Sequence, residues 1–372
     1  MTDATSTLLA DGRELIYFDD GHTAKAHTAV DTRPLDARSE DNTGDLRFDA
    51  LTGDWVAIAA HRQTRTYLPP ADQCPLCPTT GVNLSEIPEA DYDVAVFENR
   101  FPSLGPAVGS VPENPSWGTL GRAFGRCEVV AFTPEHTGSF GGLSTERART
   151  VIDAWAHRTE ALSALPGIKQ VFPFENRGQD IGVTLHHPHG QIYAYSYVPP
   201  RSQVMANAAR KFYDENQGTA TLLGDIVAKE SASGERMLAQ GEHFSAYVPF
   251  AAHMPLEIHL TPHRHVPDFA ALTGEERDEL AVMYLDLLRT LDNIYETPTP
   301  YIAAWHQAPL DTLLRPASRF HLQLTSPRRA ADKLKFLAGS EAAMGAFIND
   351  TSPEQTAAML RNVSTKLKAG QA

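Results

Sequence analysis

VVAFTPEHTGSFGGLSTERARTVIDAW, residues 129–155, decides the fold once it is laid beside EIHLTPHRHVPDFAALTGEERDELAVMY, residues 257–284. Both run in the order Thr-Pro, His, aromatic, Leu-Ser/Thr, Glu-Arg, then an apolar pattern at helical spacing. A histidine-bearing, β-rich stretch follows each, HHPHGQI at 186–192 and RFHLQL at 319–324. Self-similarity at so long a period predicts two copies of one strand–helix–strand unit rather than a solenoid. In this alignment Gln323 of the second copy stands where the first has His189.

Further strands are expected around that repeat. LRFDALTGDWVAIAAHRQTR (46–65) holds two apolar runs about a Thr-Gly-Asp turn, the pattern of a β-hairpin. DYDVAVFENRFPSL (91–104) and IKQVFPFENRG (168–178) add strand candidates, and TGEERDELAVMYLDLLRTLDNIY (273–295) is a helix on its spacing. ELIYFDD (14–20) reads as a strand, and the polar HTAVDTRPLDARSEDNTGD (27–45) as an exposed connection. Strands and long helices mix with no Gly-rich βαβ unit, which favours an α+β fold over a Rossmann fold. The expected plan is a peripheral segment 1–45 and two related halves, 46–200 and 201–372, in one unit.

Composition narrows the function classes. The 372 residues carry a net charge of −14, with 42% hydrophobic and 21% charged residues. That balance fits a globular core and argues against non-specific nucleic-acid binding, since no basic stripe can neutralise phosphates. A small phosphorylated substrate held by local arginines and lysines stays open. The N-terminal MTDATSTLLADGREL lacks the basic start and apolar run of a signal peptide, and no apolar stretch is long enough to span a bilayer. With Cys74, Cys77 and Cys127 the only cysteines, a disulfide scaffold is not expected and a cytoplasmic address fits.

Cys74-Pro-Leu-Cys77 is a C-x-x-C knuckle in a Pro-rich, turn-forming setting. Two such thiolates can bite one tetrahedral ion, and soft sulfur selects zinc. A thioredoxin-like redox pair would want a helix behind it, which the flanking prolines oppose. No second cysteine pair exists, so histidines must complete the set, with His136 and one of the 186–189 cluster as candidates. On a strand His187, His189 and Gln191 share one face, while His186 and Pro188 point away. A neutral imidazole beside an amide donor suits phosphoryl transfer: the ring attacks phosphorus and the amide meets the phosphoryl oxygens.

HPHGQ at 187–191 resembles the active-site motif of galactose-1-phosphate uridylyltransferases, a branch of the histidine-triad superfamily. LTGDWVAIAAHRQTR, CPLCP, VFENRFPSL, FTPEH, FENRGQDIGVTLHHPHGQIYAY, AAWHQAP and KFLAGSEAAMGAFIND carry the likeness in the same order from about residue 45 onward. The resemblance implies duplicated histidine-triad-like halves forming a large antiparallel sheet flanked by helices, in a homodimer. It implies that His189 takes the uridylyl group from UDP-glucose and passes it to galactose 1-phosphate, with Gln191 assisting. Arg62 and Arg65 match phosphate-binding positions, and one of them reaches across the dimer. Asn99 and Asn176 match positions that hold the uridine and phosphate portions. Lys335 and Glu341 match contacts to the hexose phosphate. Zinc is implied at Cys74, Cys77, His136 and His187, in a structural role.

Two departures from the family pattern stand out. Members with a second metal use a glutamate and three histidines, whereas this chain keeps His306 and His321, has Gln323 for the third, and offers no glutamate in RSQVMANAARKFY. The second site is therefore expected to be absent or altered. Ser340 replaces a tyrosine of the hexose-phosphate motif, which bears on sugar preference. The rival function is a histidine-triad nucleotide hydrolase or phosphorylase acting on another nucleotide or nucleotide-sugar; Gln191 and the KFLAGSE segment weigh against it.

Overall fold

In the computed structural model, which describes residues 4–22, 25–37, 44–64, 68–81, 83–106 and 113–370, the chain opens with a hairpin of β1 (Ala4–Leu8) and β2 (Glu14–Phe18). A second hairpin, β3 (Asp45–Asp49) and β4 (Asp54–Ile58), turns at Gly53, whose φ of 77° suits a residue without Cβ. Next come β5 (Val94–Glu98), β6 (Leu120–Arg122) and β7 (Gly125–Ala131), then α1 (Thr145–Ser163), β8 (Gln170–Arg177) and β9 (His189–Tyr195). Helices α2 (Pro200–Glu215) and α3 (Leu222–Ser233) precede β10 (Met237–Gln240), β11 (Phe244–Tyr247) and β12 (Leu256–Pro262). Then follow α4 (Gly274–Asp292), β13 (Tyr301–His306), β14 (His321–Ser326) and α5 (Pro353–Lys368).

Eleven of these strands make one sheet in the order β1-β2-β5-β7-β9-β8-β13-β14-β12-β11-β10, with every neighbouring pair antiparallel. Its centre displays the duplication: β5-β7-β9-β8 on one side of the β8–β13 seam mirrors β11-β12-β14-β13 on the other. Register carries the correspondence to single residues. Ala131 faces His189 where β7 meets β9, and His259 faces Gln323 where β12 meets β14, so Gln323 is the counterpart of His189, as the sequence echo predicts. The two long helices begin alike. Ser144 Oγ accepts from Arg147 N at 3.0 Å ahead of α1, and Thr273 forms a full capping box with Glu276 ahead of α4.

The sheet has two unlike faces because side chains alternate along each strand. Ile16, Val96, Val130, Ile192, Leu322 and Leu324 face α1 and α4 and join one core with Trp155, Tyr284, Trp305 and Phe320. The Trp155 and Trp305 ring centroids are 5.7 Å apart, so the two halves share a single packed interior. The other face carries Tyr17, Ala95, Phe97, Val129 and Ala131 in the first half. There the small sheet β4-β3-β6 packs Leu46 and Trp55 near Tyr193 and Tyr195. Strands β1 and β2 lie at the sheet's edge, where β2 pairs with β5 and Arg13 is almost fully buried.

Glu175 marks the seam between the halves. It points into the helix-side core, 3% exposed, and accepts hydrogen bonds from Tyr301 Oη at 2.9 Å and Tyr284 Oη at 3.3 Å. Burial, only partly offset by those hydroxyls and by Arg177, pushes its carboxyl up from 4.5 to about 7. The folded state therefore holds this proton more tightly than the unfolded chain, and the stabilisation is lost as pH rises from the unfolded value through about 7. At roughly 1.4 kcal/mol per unit the effect is at most about 3.5 kcal/mol. Urea unfolding of the wild type across that window is expected to show the decline, and Glu175→Gln to lack that part of it. Identical pH profiles for the two proteins would mean that this carboxyl does not titrate in the window.

Candidate active site and metal centre

Residues of the face opposite α1 and α4 gather around the start of β9. His189 and Gln191 project there beside Ala131 and Val129 of β7, and the small alanine leaves room above the imidazole. Between them Gly190 turns toward the core, where an added Cβ would sit 2.8 Å from the Phe132 ring and 3.1 Å from the Phe174 carbonyl. The motif's glycine is thus a packing requirement, since no larger side chain fits without displacing the strand.

Nδ1 of His189 lies 2.7 Å from the carbonyl oxygen of His187. A carbonyl can only accept, so Nδ1 carries the hydrogen and Nε2 keeps its lone pair. Burial lowers the His189 pKa, which keeps the ring neutral near pH 7. This imidazole borders two cavities. One, of about 270 Å³, runs from His189 and Gln191 past Arg62 and Asn99 over Phe97, Val129 and Leu76. The other, of about 160 Å³, is bordered by Asn176, Arg177, Gln179, His186 and Ser139. Arg62 stands on the short turn after β4 and donates to Tyr193 Oη at 3.3 Å. Asn99 uses Oδ1 to accept from Phe101 N at 2.8 Å, which fixes its amide at the end of β5.

Behind His189 the four expected ligands converge. Cys74 Sγ is 3.8 Å and Cys77 Sγ 3.6 Å from His187 Nδ1, and Cys77 Sγ is 3.4 Å from His136 Nδ1. All four ligand atoms lie within 4.8 Å of one another. Around a tetrahedral zinc, sulfur and nitrogen ligands sit roughly 3.6 Å apart, so the group is already near its coordinated spacing. His187 Nε2 is 2.7 Å from the Thr133 carbonyl and 3.2 Å from Tyr92 Oη; that carbonyl takes the Nε2 hydrogen and leaves Nδ1 aimed at the sulfurs. Burial, and then the neighbouring Cys74, push the Cys77 thiol up to about 12 when only protein groups surround it. A cation between the sulfurs reverses that preference. Two soft sulfurs and two imidazoles, largely buried, suit a metal ion held by protein alone.

The remaining sequence expectations fall in different places. Arg65 lies outside the described residues. Lys335 pairs with Glu341 at 2.7 Å, and neither borders the two cavities at His189. Their segment is pinned through Asn349 to the carbonyls of Ala252 and Met254, beyond the seam in the second half. His186 is exposed, its Nε2 is 3.2 Å from Gln179 Nε2, and it borders the smaller cavity. Sequence reasoning missed Arg33, Asn83, Ser85 and Glu86, which border the larger cavity from irregular segments. Periodicity carries no signal there.

In the second half the counterpart of the His189 position is closed by polar side chains. Gln323 Nε2 is 3.2 Å from His321 Nε2, and Gln323 Oε1 accepts from Arg201 Nη2 at 3.0 Å. His306 stacks on His321 at 5.1 Å, and burial pushes the His321 imidazole down to about 3. Arg201 comes from RSQVMANAARKFY, the stretch that offers no glutamate. A fixed guanidinium and an amide donor do not suit a second cation there. Among the described residues, Cys74, Cys77, His136 and His187 form the group able to hold a metal.

Comparisons with known proteins place the chain in a family. The family model described as galactose-1-phosphate uridyl transferase, N-terminal domain, matches residues 34–199, and its C-terminal domain counterpart matches 207–371. The galactose-1-phosphate uridylyltransferase of Streptomyces lividans is 44% identical, with 97% of this chain and 98% of the relative covered. That of Thermotoga maritima is 36% identical, with 87% of this chain and 99% of the relative covered. A solved uridylyltransferase structure superposes with a TM-score of 0.76 at 30% identity, covering 87% of this chain and 99% of its own.

The convergence of ligands makes metal content the direct check on this centre. Protein prepared without chelators is expected to carry about one transition-metal ion per chain, and Cys77→Ser close to none, with a lower melting temperature. Equal metal content in the two proteins would place the ion elsewhere.

Proposed function

The chain belongs to the galactose-1-phosphate uridyl transferase family, whose members are nucleotidyltransferases of galactose metabolism, and on that premise we propose that it moves a uridylyl group from UDP-glucose to galactose 1-phosphate through His189. The observation that carries the reading is the 2.7 Å contact of His189 Nδ1 with the His187 carbonyl, because it leaves Nε2 as a neutral nucleophile at the meeting of two cavities. Nε2 attacks the α-phosphorus of UDP-glucose, a nitrogen–phosphorus bond forms, and the bond to the β-phosphate oxygen breaks, releasing glucose 1-phosphate. The imidazole becomes cationic in that step, and the Nδ1–H bond to the His187 carbonyl strengthens as it does. A phosphate oxygen of galactose 1-phosphate then displaces the imidazole, giving UDP-galactose and restoring the neutral ring.

Gln191, two residues along the same face, donates its amide to the phosphoryl oxygens as their charge rises. Arg62, together with Arg65, answers the substrate's phosphates, and Asn99 and Asn176 hold the uridine and phosphate portions. Zinc would be held by Cys74, Cys77, His136 and His187, and its contribution would be to fix the His187 carbonyl behind the nucleophile. Lys335 and Glu341 stand apart from His189 in one chain, and their segment exposes Phe336, Met344 and Ile348. A homodimer that buries these apolar side chains brings the pair to the partner's hexose phosphate. A cytoplasmic address suits cysteines without a disulfide and phosphorylated sugars.

Initial rates with both substrates varied are expected to give parallel double-reciprocal lines. His189→Ala is expected to reduce kcat by at least about 10⁴-fold, and Gln191→Ala by about 10²–10³-fold, the loss of one charge-stabilising donor. Intersecting lines, or UMP released equally fast with and without galactose 1-phosphate, would overturn the transfer reading.

A further inference from the structure

We infer that Arg33, in the segment ahead of β3, is a nucleotide-selecting residue that contacts the nucleoside end of the bound substrate. This inference rests on the uridylyl-transfer reading of the larger cavity. Arg33 borders that cavity together with Asn83, Ser85 and Glu86, while His189 and Gln191 border it as well. Sheet order gives the distance between these groups. Gln191 on β9 lies opposite Val129 on β7, and Val129 lies opposite Phe97 on β5. Two strand spacings make about 10 Å, comparable with the reach of a nucleoside 5′-phosphate from its phosphorus to its base. Phe97 pairs in turn with Leu15 of β2, and Arg13 just ahead of β2 bonds Glu86. The Arg33–Glu86 pair therefore belongs to the end of the cavity farthest from the nucleophile.

The charge there excludes a phosphate. Arg33 forks onto Asp31, with Nε at 2.9 Å and Nη2 at 2.7 Å, and onto Glu86, with Nη1 and Nη2 each at 3.0 Å. Arg13 adds Nη2 to Glu86 at 2.6 Å, pairs with Asp11, and donates Nη1 to the Glu98 carbonyl beside Asn99. Two arginines thus meet three carboxylates, and an anion gains nothing at this end. Four of the five N–H groups of Arg33 are committed, and one on Nη1 has no partner among the described residues. One oriented donor and a flat guanidinium beside the apolar Leu76, Phe97 and Val129 suit a neutral aromatic ring bearing carbonyl oxygens, as uracil does.

The arginine is also held firmly enough to select. Its side chain is 8% exposed, and Asp31 is itself fixed by the Ala10 amide at 2.9 Å. The family model's match begins at residue 34, so Arg33 lies just outside the portion that the family model describes. The segment after the edge hairpin β1–β2 thereby contributes to the wall of the substrate cavity through Arg33.

Calorimetric titration with UMP and with ribose 5-phosphate, which lacks the base, separates the possibilities. The wild type is expected to bind UMP at least tenfold tighter than ribose 5-phosphate. Arg33→Ala is expected to lose about tenfold for UMP, the scale of one charge-assisted hydrogen bond, with ribose 5-phosphate unchanged. Arg33→Lys keeps a cation between Asp31 and Glu86, so the wild-type melting temperature should persist while the preference for the base falls. If the wild type itself shows no preference for UMP, the uridylyl reading of the cavity fails. If both Arg33 variants keep the wild-type preference, or lose both ligands equally, Arg33 does not select the nucleoside.

Discussion

The hydrogen bond from Nδ1 of His189 to the carbonyl of His187 joins every part of the site. On one side it settles the tautomer that leaves Nε2 able to attack. On the other it belongs to a residue whose own imidazole faces Cys74 and Cys77. A slip of β9 by one residue would turn His189 into the helix-packed core and bring Gly190 out. The register is guarded by Gly190 itself, since a Cβ there would meet Phe132. The metal-binding group, the strand register and the His189 imidazole are therefore one construction, and disturbing any of them disturbs the other two.

Duplication explains the frame, and divergence explains the asymmetry. Both halves lay down the same four-strand order about the β8–β13 seam and cover the same face with a capped helix. In the first half the face around β9 opens into cavities. In the second, Gln323 stands opposite His259, and Arg201 bonds its amide, so the equivalent place is filled by a hydrogen-bonded cluster. An amide cannot form the phosphorus–nitrogen intermediate that an imidazole can, so the second copy supplies structure and surrounding walls.

Much of this was legible in the sequence because it rests on local pattern. The Thr-Pro to helix echo gave both helices and their flanking strands, and the alternation in HPHGQ put His189 and Gln191 on one face. The C-x-x-C knuckle pointed to an ion before any geometry was known, and His136 and His187 lie where they complete it. What escaped notice depends on long-range contact. Arg33 reaches Glu86 across 53 residues of chain, from a stretch whose polar, turn-rich composition reads as an exposed connection. Arg201 meets Gln323 across 122 residues. Neither pairing leaves a periodic trace. The separation of Lys335 and Glu341 from His189 was equally invisible, since motif order says nothing about distance in space.

Intact-mass analysis after mixing the protein with UDP-glucose alone, near neutral pH, tests the central claim most directly. Wild type is expected to gain the mass of one uridylyl group, mapped by proteolysis to the peptide containing His189 and removed by galactose 1-phosphate. His189→Ala is expected to gain nothing. A wild-type protein with its metal bound and UDP-glucose demonstrably seated, yet with no adduct under any of these conditions, would contradict a covalent histidine intermediate.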